Sequence, residues 1–313
     1  MWKHLVLLCL LSLLLVGCND DDCAECPDPA PQPTMANLWP HEDGTGWVYD
    51  LQYRLYEGPS PSETAPPLPS LQDLHADLAQ PLEGDPLEEE QVLYRLRFEG
   101  EATIGPGAVA QNLVGTTYFE SSPPLQSRSD RRLLGLVARA RPDLQPQILA
   151  AYGGTADDLK AVDGAAMYAL GSCAFAYEDS GYYAYGGSGA HHSWIFLEGS
   201  LRVGSEFSLQ LLPGFTDDMW LYGRIWSIGD RTVDGVAWSN VLECMYALDL
   251  GVQVVTDDQG EPIGEFRSYI YFTTLYAPGF GPIMSVERHV LGSDSVLQDW
   301  ESVVREYRCT IER

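Results

Sequence analysis

Two adjacent histidines, His191 and His192, follow the run Gly186-Gly187-Ser188-Gly189 and form the most chemically suggestive spot in the chain. A hydroxyl beside an imidazole can supply a nucleophile and its base, and imidazoles can hold a metal ion. The spacing argues against both. Ser188 does not sit in a G-x-S-x-G elbow, because Ala190 takes the second glycine position. Neighbouring residues on a strand face opposite sides, so two adjacent imidazoles do not easily chelate one ion. The region reads as a glycine-rich loop with surface histidines, and an envelope hydrolase using the His191/His192 region stays as an alternative. Asp217-Asp218 and Asp257-Asp258 lack the D-x-D-x-D-G spacing that wraps calcium, and they read as turn residues. No catalytic set, metal centre or cofactor site is called for.

Aromatic residues offer binding rather than reaction. Trp220, Tyr222 and Trp226 share strand parity, and Trp47 and Tyr49 share theirs. Together the five are the candidate lining of a concave face for an apolar ligand. Packing into the core is the competing reading of any aromatic stripe on a strand.

Sulfur chemistry is concentrated at the start. Lys3 and His4 precede an apolar run, Leu5 to Val16, which is too short to span a bilayer comfortably. It ends in Leu15-Val16-Gly17-Cys18, which resembles the lipobox of bacterial lipoproteins. That resemblance implies acylation of the Cys18 thiol and cleavage after Gly17. Two or three acyl chains anchor stably where one does not. Residues 1–17 are then a signal peptide and 18–37 an acidic, proline-rich tether. Cys23 and Cys26 lie in that tether, away from any helix start that would lower a thiol pKa, and they read as a local disulfide. Cys173, Cys244 and Cys309 remain, and Cys244 with Cys309 is the preferred pair, since both lie in apolar strand-like runs.

Residues 38–313 read as a single β-rich domain. Trp47, Tyr49, Leu51, Tyr53 and Leu55 alternate along 46–56 and give a strand with an aromatic inner side. A proline- and acid-rich excursion, 58–90, carries a helical turn near Leu71 to Leu78. Strands are expected over 91–101, 108–120, 166–178, 192–198, 205–212, 219–228, 236–255, 265–276, 282–291 and 297–311. A small helical insertion falls at about 129–165, with a helix around Leu144 to Tyr152 that packs on the sheet. The expected fold is mainly β: a large antiparallel curved sheet or open barrel with that insertion.

Leu38-Trp39-Pro40 with Gly44, Gly46, Trp47 and Tyr49, and Tyr276-Ala277-Pro278-Gly279-Phe280-Gly281-Pro282-Ile283 followed by Glu287, resemble two motifs of a widespread group of uncharacterised bacterial lipoproteins. Members begin with a G-x-x-W-x-Y type strand and carry a Y-A-P-G-x-G hairpin near the end; here Phe280 stands where valine is usual. The resemblance implies an exported β domain like the half-barrel lipoprotein carriers. In the second motif, Gly279 and Gly281 are free to take positive φ, while Pro278 and Pro282 fix entry and exit.

Forty-five acids against 18 bases give a formal charge of −27. Such a surface repels phosphate backbones, so nucleic acid is not an expected partner. It gives no grip on anionic lipid either, so the membrane must be reached through the lipid on Cys18. The expected protein is a non-enzymatic, lipid-anchored envelope protein of the outer membrane, facing periplasm or cell surface. It binds an apolar ligand or an envelope partner through a concave aromatic face. A structural or adhesive lipoprotein without a pocket is the rival.

Overall fold

A computed structural model of the chain describes residues 31–105, 108–119, 125–126, 141–152, 173–178, 181–185, 193–210, 216–257, 259–291 and 296–308. The strands are β1 (Gly46–Glu57), β2 (Glu88–Gly105), β3 (Ala108–Phe119), β4 (Leu125–Gln126), β5 (Cys173–Glu178), β6 (Gly181–Tyr185) and β7 (Ser193–Glu198). They continue with β8 (Glu206–Gln210), β9 (Trp220–Val233), β10 (Val236–Thr256), β11 (Pro262–Ala277), β12 (Gly281–Leu291) and β13 (Val296–Arg308). Among the described residues three short α-helices accompany them: α1 (Met35–Leu38), α2 (Leu71–Leu78) and α3 (Gln145–Tyr152), the last preceded by a 3-10 turn, Pro142–Leu144. The fold is mainly β, as the alternation predicted, and α3 falls where a helix was expected. The short strand β6 was not anticipated.

All thirteen strands belong to one antiparallel sheet, in the order β7-β6-β5-β3-β2-β1-β13-β12-β11-β10-β9-β8, with β4 beside β3. This is a meander with one long-range join, where the first strand pairs with the last from Gly46↔Arg308 to Glu57↔Val296. The order therefore begins at β7 and ends at β8, which are consecutive in the chain and touch. Residues 199–205 are too few to cross a flat sheet of this width, so the sheet curls until its ends are neighbours.

Curling gives the sheet an inside and an outside. Trp47, Tyr49 and Leu51 on β1, Tyr94, Leu96 and Phe98 on β2, and Tyr246, Phe272 and Tyr276 on β10 and β11 point inward and share one buried cluster. The strap carrying α1 closes this interior with Leu38 and Trp39, both almost fully buried. The Trp39 ring lies 5.0 Å from Phe175 and 5.8 Å from Tyr276. Its backbone N–H donates to the Tyr182 hydroxyl at 3.0 Å.

The two sequence motifs meet at this point. The Trp47 indole donates to the Phe280 carbonyl at 2.5 Å, and the Tyr49 hydroxyl donates to the Pro282 carbonyl at 2.9 Å. Gly279 and Gly281 take φ of +81° and +83°. A Cβ on Gly281 would stand 3.2 Å from both Trp39 and Trp47 rings, so the turn needs glycine for space as well as for backbone conformation.

The outside of β10–β12 is covered too. Ser70 caps α2, its hydroxyl accepting from the Asp73 N–H at 3.2 Å. Leu74 of that helix is buried against Met245, Ala247, Phe266, Tyr271 and Val290. The proline- and acid-rich excursion over 58–90 is thus partly a cover for the sheet. Arg288 clamps it: the guanidinium donates to the Asp77 carbonyl and carboxylate at 2.7 Å, and to Asp299 at 3.0 Å.

One disulfide expectation is corrected. Cys244 is a free thiol, fully buried inside the sheet. Its level on the sheet runs through Thr274 and Ser285 to Ser302 of β13. Burial pushes the Cys244 thiol pKa up to about 12. Cys18, Cys23, Cys26 and Cys309 lie outside the described residues.

Candidate functional site

The five aromatic residues expected to line one face are divided between two. Trp47 and Tyr49 are 1% and 0% exposed, packed against Trp39, Phe98 and Tyr94. They are core, already covered by the protein's own strap. Trp220, Tyr222 and Trp226 do share a face, but it is the outer one. Leu221 and Ile225, between them, are the inward residues of β9. The register shift between Ser227↔Glu243 and Ile225↔Cys244 leaves Trp226 as the extra residue of a bulge. The single aromatic face is therefore corrected to an inner core and an outer stripe.

That outer stripe holds a polar cluster. The His75 ring of α2 stacks on Trp226 at 3.9 Å and 18°. His75 Nε2 meets Glu243 Oε1 at 2.8 Å, and the Ser227 hydroxyl donates to Glu243 Oε2 at 2.6 Å. Arg231 donates to both Ser227 and Glu243. Burial works against the Glu243 charge, yet hydrogen bonds from Ser227, His75 and Arg231 outweigh it and hold the carboxyl below its usual range. Serine, histidine and glutamate are present, but in the wrong order for a nucleophile. The carboxylate stands between the other two, so the hydroxyl proton faces Glu243 rather than the imidazole.

A second polar set lies inside. Ser285, Glu287 and His289 alternate along β12 and are 3%, 1% and 0% exposed. Phe272 lies opposite Glu287, and Ile270 opposite His289, which fixes the inward direction. His289 Nε2 is hydrogen-bonded to Glu287 Oε1. The Ser285 hydroxyl donates to the Thr273 carbonyl at 3.2 Å, and the Tyr246 and Tyr276 hydroxyls are 3.0 Å apart. Burial raises the pKa of both tyrosines, so both remain protonated donors. The His289–Glu287 and Tyr246–Tyr276 pairs thus place hydrogen-bonded polar groups within the packed interior.

Among the described residues, an open groove lies on the outer surface. The β9–β10 hairpin extends past the end of its pairing with β11 and folds over the outside of the sheet. Val233, Val241 and Trp238 of the hairpin pack near Ala277, Ile283 and Val303. Between this overhang and strands β2, β1 and β13 runs a groove of about 760 Å³. Its floor has two cross-strand rows: Leu93, Asp50 and Val303, then Gln91, Gln52 and Glu301. Its roof is Val233, Asp234, Val236 and Trp238, with Arg305 at the rim. Arg305 pairs with Asp50 at 3.5 Å. The volume and the mixed lining fall in the range of small-molecule sites.

The other sequence candidates do not join it. Asp257 is a turn residue, its carboxylate accepting the N–H groups of Gln259 and Glu261 at 2.9 Å. Asp218 pairs with Arg141 at 3.1 Å, and Asp217 accepts from Gln210. Ser188, His191, His192 and Asp258 lie outside the described residues. Among the described residues, no group of three or more potential ligands is placed to hold a metal ion. Sequence reasoning missed the groove, because it arises from the curvature of one long hairpin. It also missed His75, although the spacing of Leu71, Leu74 and Leu78 marked a helix face that packs down.

No protein-family model and no curated protein matches the chain. Among solved structures, a candidate lipoprotein from Parabacteroides distasonis ATCC 8503 aligns over 88% of this chain and 100% of its own, at 11% identity and a TM-score of 0.32. A candidate exported protein with a YmcC-like fold from Bacteroides fragilis NCTC 9343 aligns over 87% and 99%, at 10% identity and a TM-score of 0.31. Lipovitellin aligns over 87% of this chain and 26% of its own, with a TM-score of 0.27. Overlaps this loose carry no argument about the present chain.

Proposed function

We propose that this is a lipid-anchored protein of the bacterial envelope that binds a small apolar ligand, and that it does so on the outside of its curled sheet. The lipobox-like Leu15-Val16-Gly17-Cys18 supports the anchor. The observation that carries the binding site is the contrast in filling. Among the described residues the concave face is packed with the protein's own Trp39, Trp47, Tyr49 and Tyr246, whereas the groove under the β9–β10 hairpin is open and half apolar. Its described lining is a preformed, partly apolar surface with a few polar groups, the makeup of a small-molecule binding site.

N-phenyl-1-naphthylamine, a neutral apolar fluorophore, tests the site. It binds the wild-type chain with enhanced emission, and the Val303→Lys variant, which places a charged side chain on the groove floor, loses that signal. Tyr49→Phe on the inner face keeps it. Equal emission from the Val303→Lys variant and wild type overturns the groove. The anchor is tested separately in a lipoprotein-processing host: labelled palmitate enters the wild-type chain and not Cys18→Ser. Label in both variants overturns it.

A further inference from the structure

The groove's charges select among apolar ligands, an inference that rests on the reading of the groove as the binding site. Three carboxylates line it, those of Asp50, Asp234 and Glu301, against one guanidinium, that of Arg305. Arg305 is spent on Asp50, at 3.5 Å. Asp234, at the hairpin turn, takes φ of +46° and is part of the roof. Glu301 stands on the floor beside Val303, so a carboxylate flanks the apolar strip from above and from below. The strip itself is Leu93, Val303, Val236 and the half-buried Trp238 indole, whose ring face attracts cations. The net charge of −27 adds a long-range field of the same sign.

We infer that the groove takes a small amphiphilic cation, its apolar chain lying between hairpin and floor and its ammonium or guanidinium head at Asp234 and Glu301. A groove of about 760 Å³ holds one such molecule. A protein partner would need a contact area of about 1,000 Å² or more, which points to the small ligand.

The test displaces bound N-phenyl-1-naphthylamine with decyltrimethylammonium, decanol and decanoate, each below its micelle concentration. Decyltrimethylammonium competes about tenfold better than decanoate, the effect of two solvent-facing charge pairs. Added salt narrows the gap. The double variant Asp234→Asn with Glu301→Gln brings the cation and the anion to near parity while still binding the neutral fluorophore, which shows that it is folded. Arg305→Gln widens the preference. Decanoate competing as well as the cation, or a preference that survives in the double variant, overturns the inference and leaves the groove standing. Absence of fluorophore binding to the wild-type chain overturns the groove and this inference with it.

Discussion

The aromatic strips of β1 and β9 look alike as sequence and have opposite fates. Trp47, Tyr49 and Leu51 turn into the curl and vanish beneath Trp39 of the strap. Trp220, Tyr222 and Trp226 turn outward, with Trp226 stacked under His75 and the other two half-buried. The difference comes from the neighbours. β1 lies at the middle of the strand order, where its neighbour β2 also sends Tyr94 and Phe98 inward and Trp39 of the strap covers them, while β9 already has Leu221 and Ile225 to fill its inner parity. An aromatic stripe therefore marks a buried face without saying which face, and at β1 the chain's own strap is what covers it.

The largest effect that sharpens this contrast belongs to the inner strip. Trp47→Ala removes a fully buried ring and its bond to Phe280, and costs about 3–5 kcal/mol. It appears as a lower urea midpoint at unchanged m. A cost below about 1 kcal/mol would mean that the interior is loosely filled. Arg288→Ala comes next, at about 3 kcal/mol, because it strips the buried Asp299 of one partner and unpins α2. Hydrogen exchange at residues 71–80 speeds up in this variant if the clamp is what holds the helix down.

Trp226→Ala costs about 1 kcal/mol, as expected for a half-exposed ring on the outer face. A loss as large as that of Trp47→Ala would erase the distinction between the two strips. The smallest effect is electrostatic. Glu243 has its folded pKa depressed, so its contribution is fully present above the unfolded value of about 4.3 and is lost as pH falls through the lower folded value. The stability gap between wild type and Glu243→Gln, measured by denaturant titration, therefore closes on acidification from pH 7 towards pH 3. A gap that is constant over that range would remove the ionised carboxylate from the outer cluster.

Much of the fold was legible because alternation is a strong signal wherever one face is buried. β10 and β12 were read to within one residue of their observed ends, β9 runs five residues past the expected stop at 228, and Leu71 to Leu78 is the observed α2. Direction was less legible. Along β12, Met284, Val286 and Val290 are the apolar parity and Ser285, Glu287 and His289 the polar one, yet the polar set points inward. There Glu287 bonds to His289 and Ser285 to the Thr273 carbonyl of β11, partners that the alternation along one strand does not reveal. The bulge at Trp226 and the overhang of the β9–β10 hairpin were equally hidden, since both depend on how the whole sheet curls. The pairing proposed for Cys244 rested on its apolar surroundings, which equally suit what is observed, a free thiol closed inside the sheet.

The central claim, an occupied interior and a ligand site outside it, is tested most directly by hydrogen–deuterium exchange with and without bound N-phenyl-1-naphthylamine. The account predicts new protection in the hairpin segment 233–238 and none in the strap 35–41. Protection gained in the strap, with the hairpin unchanged, would put the ligand inside the curl and contradict it.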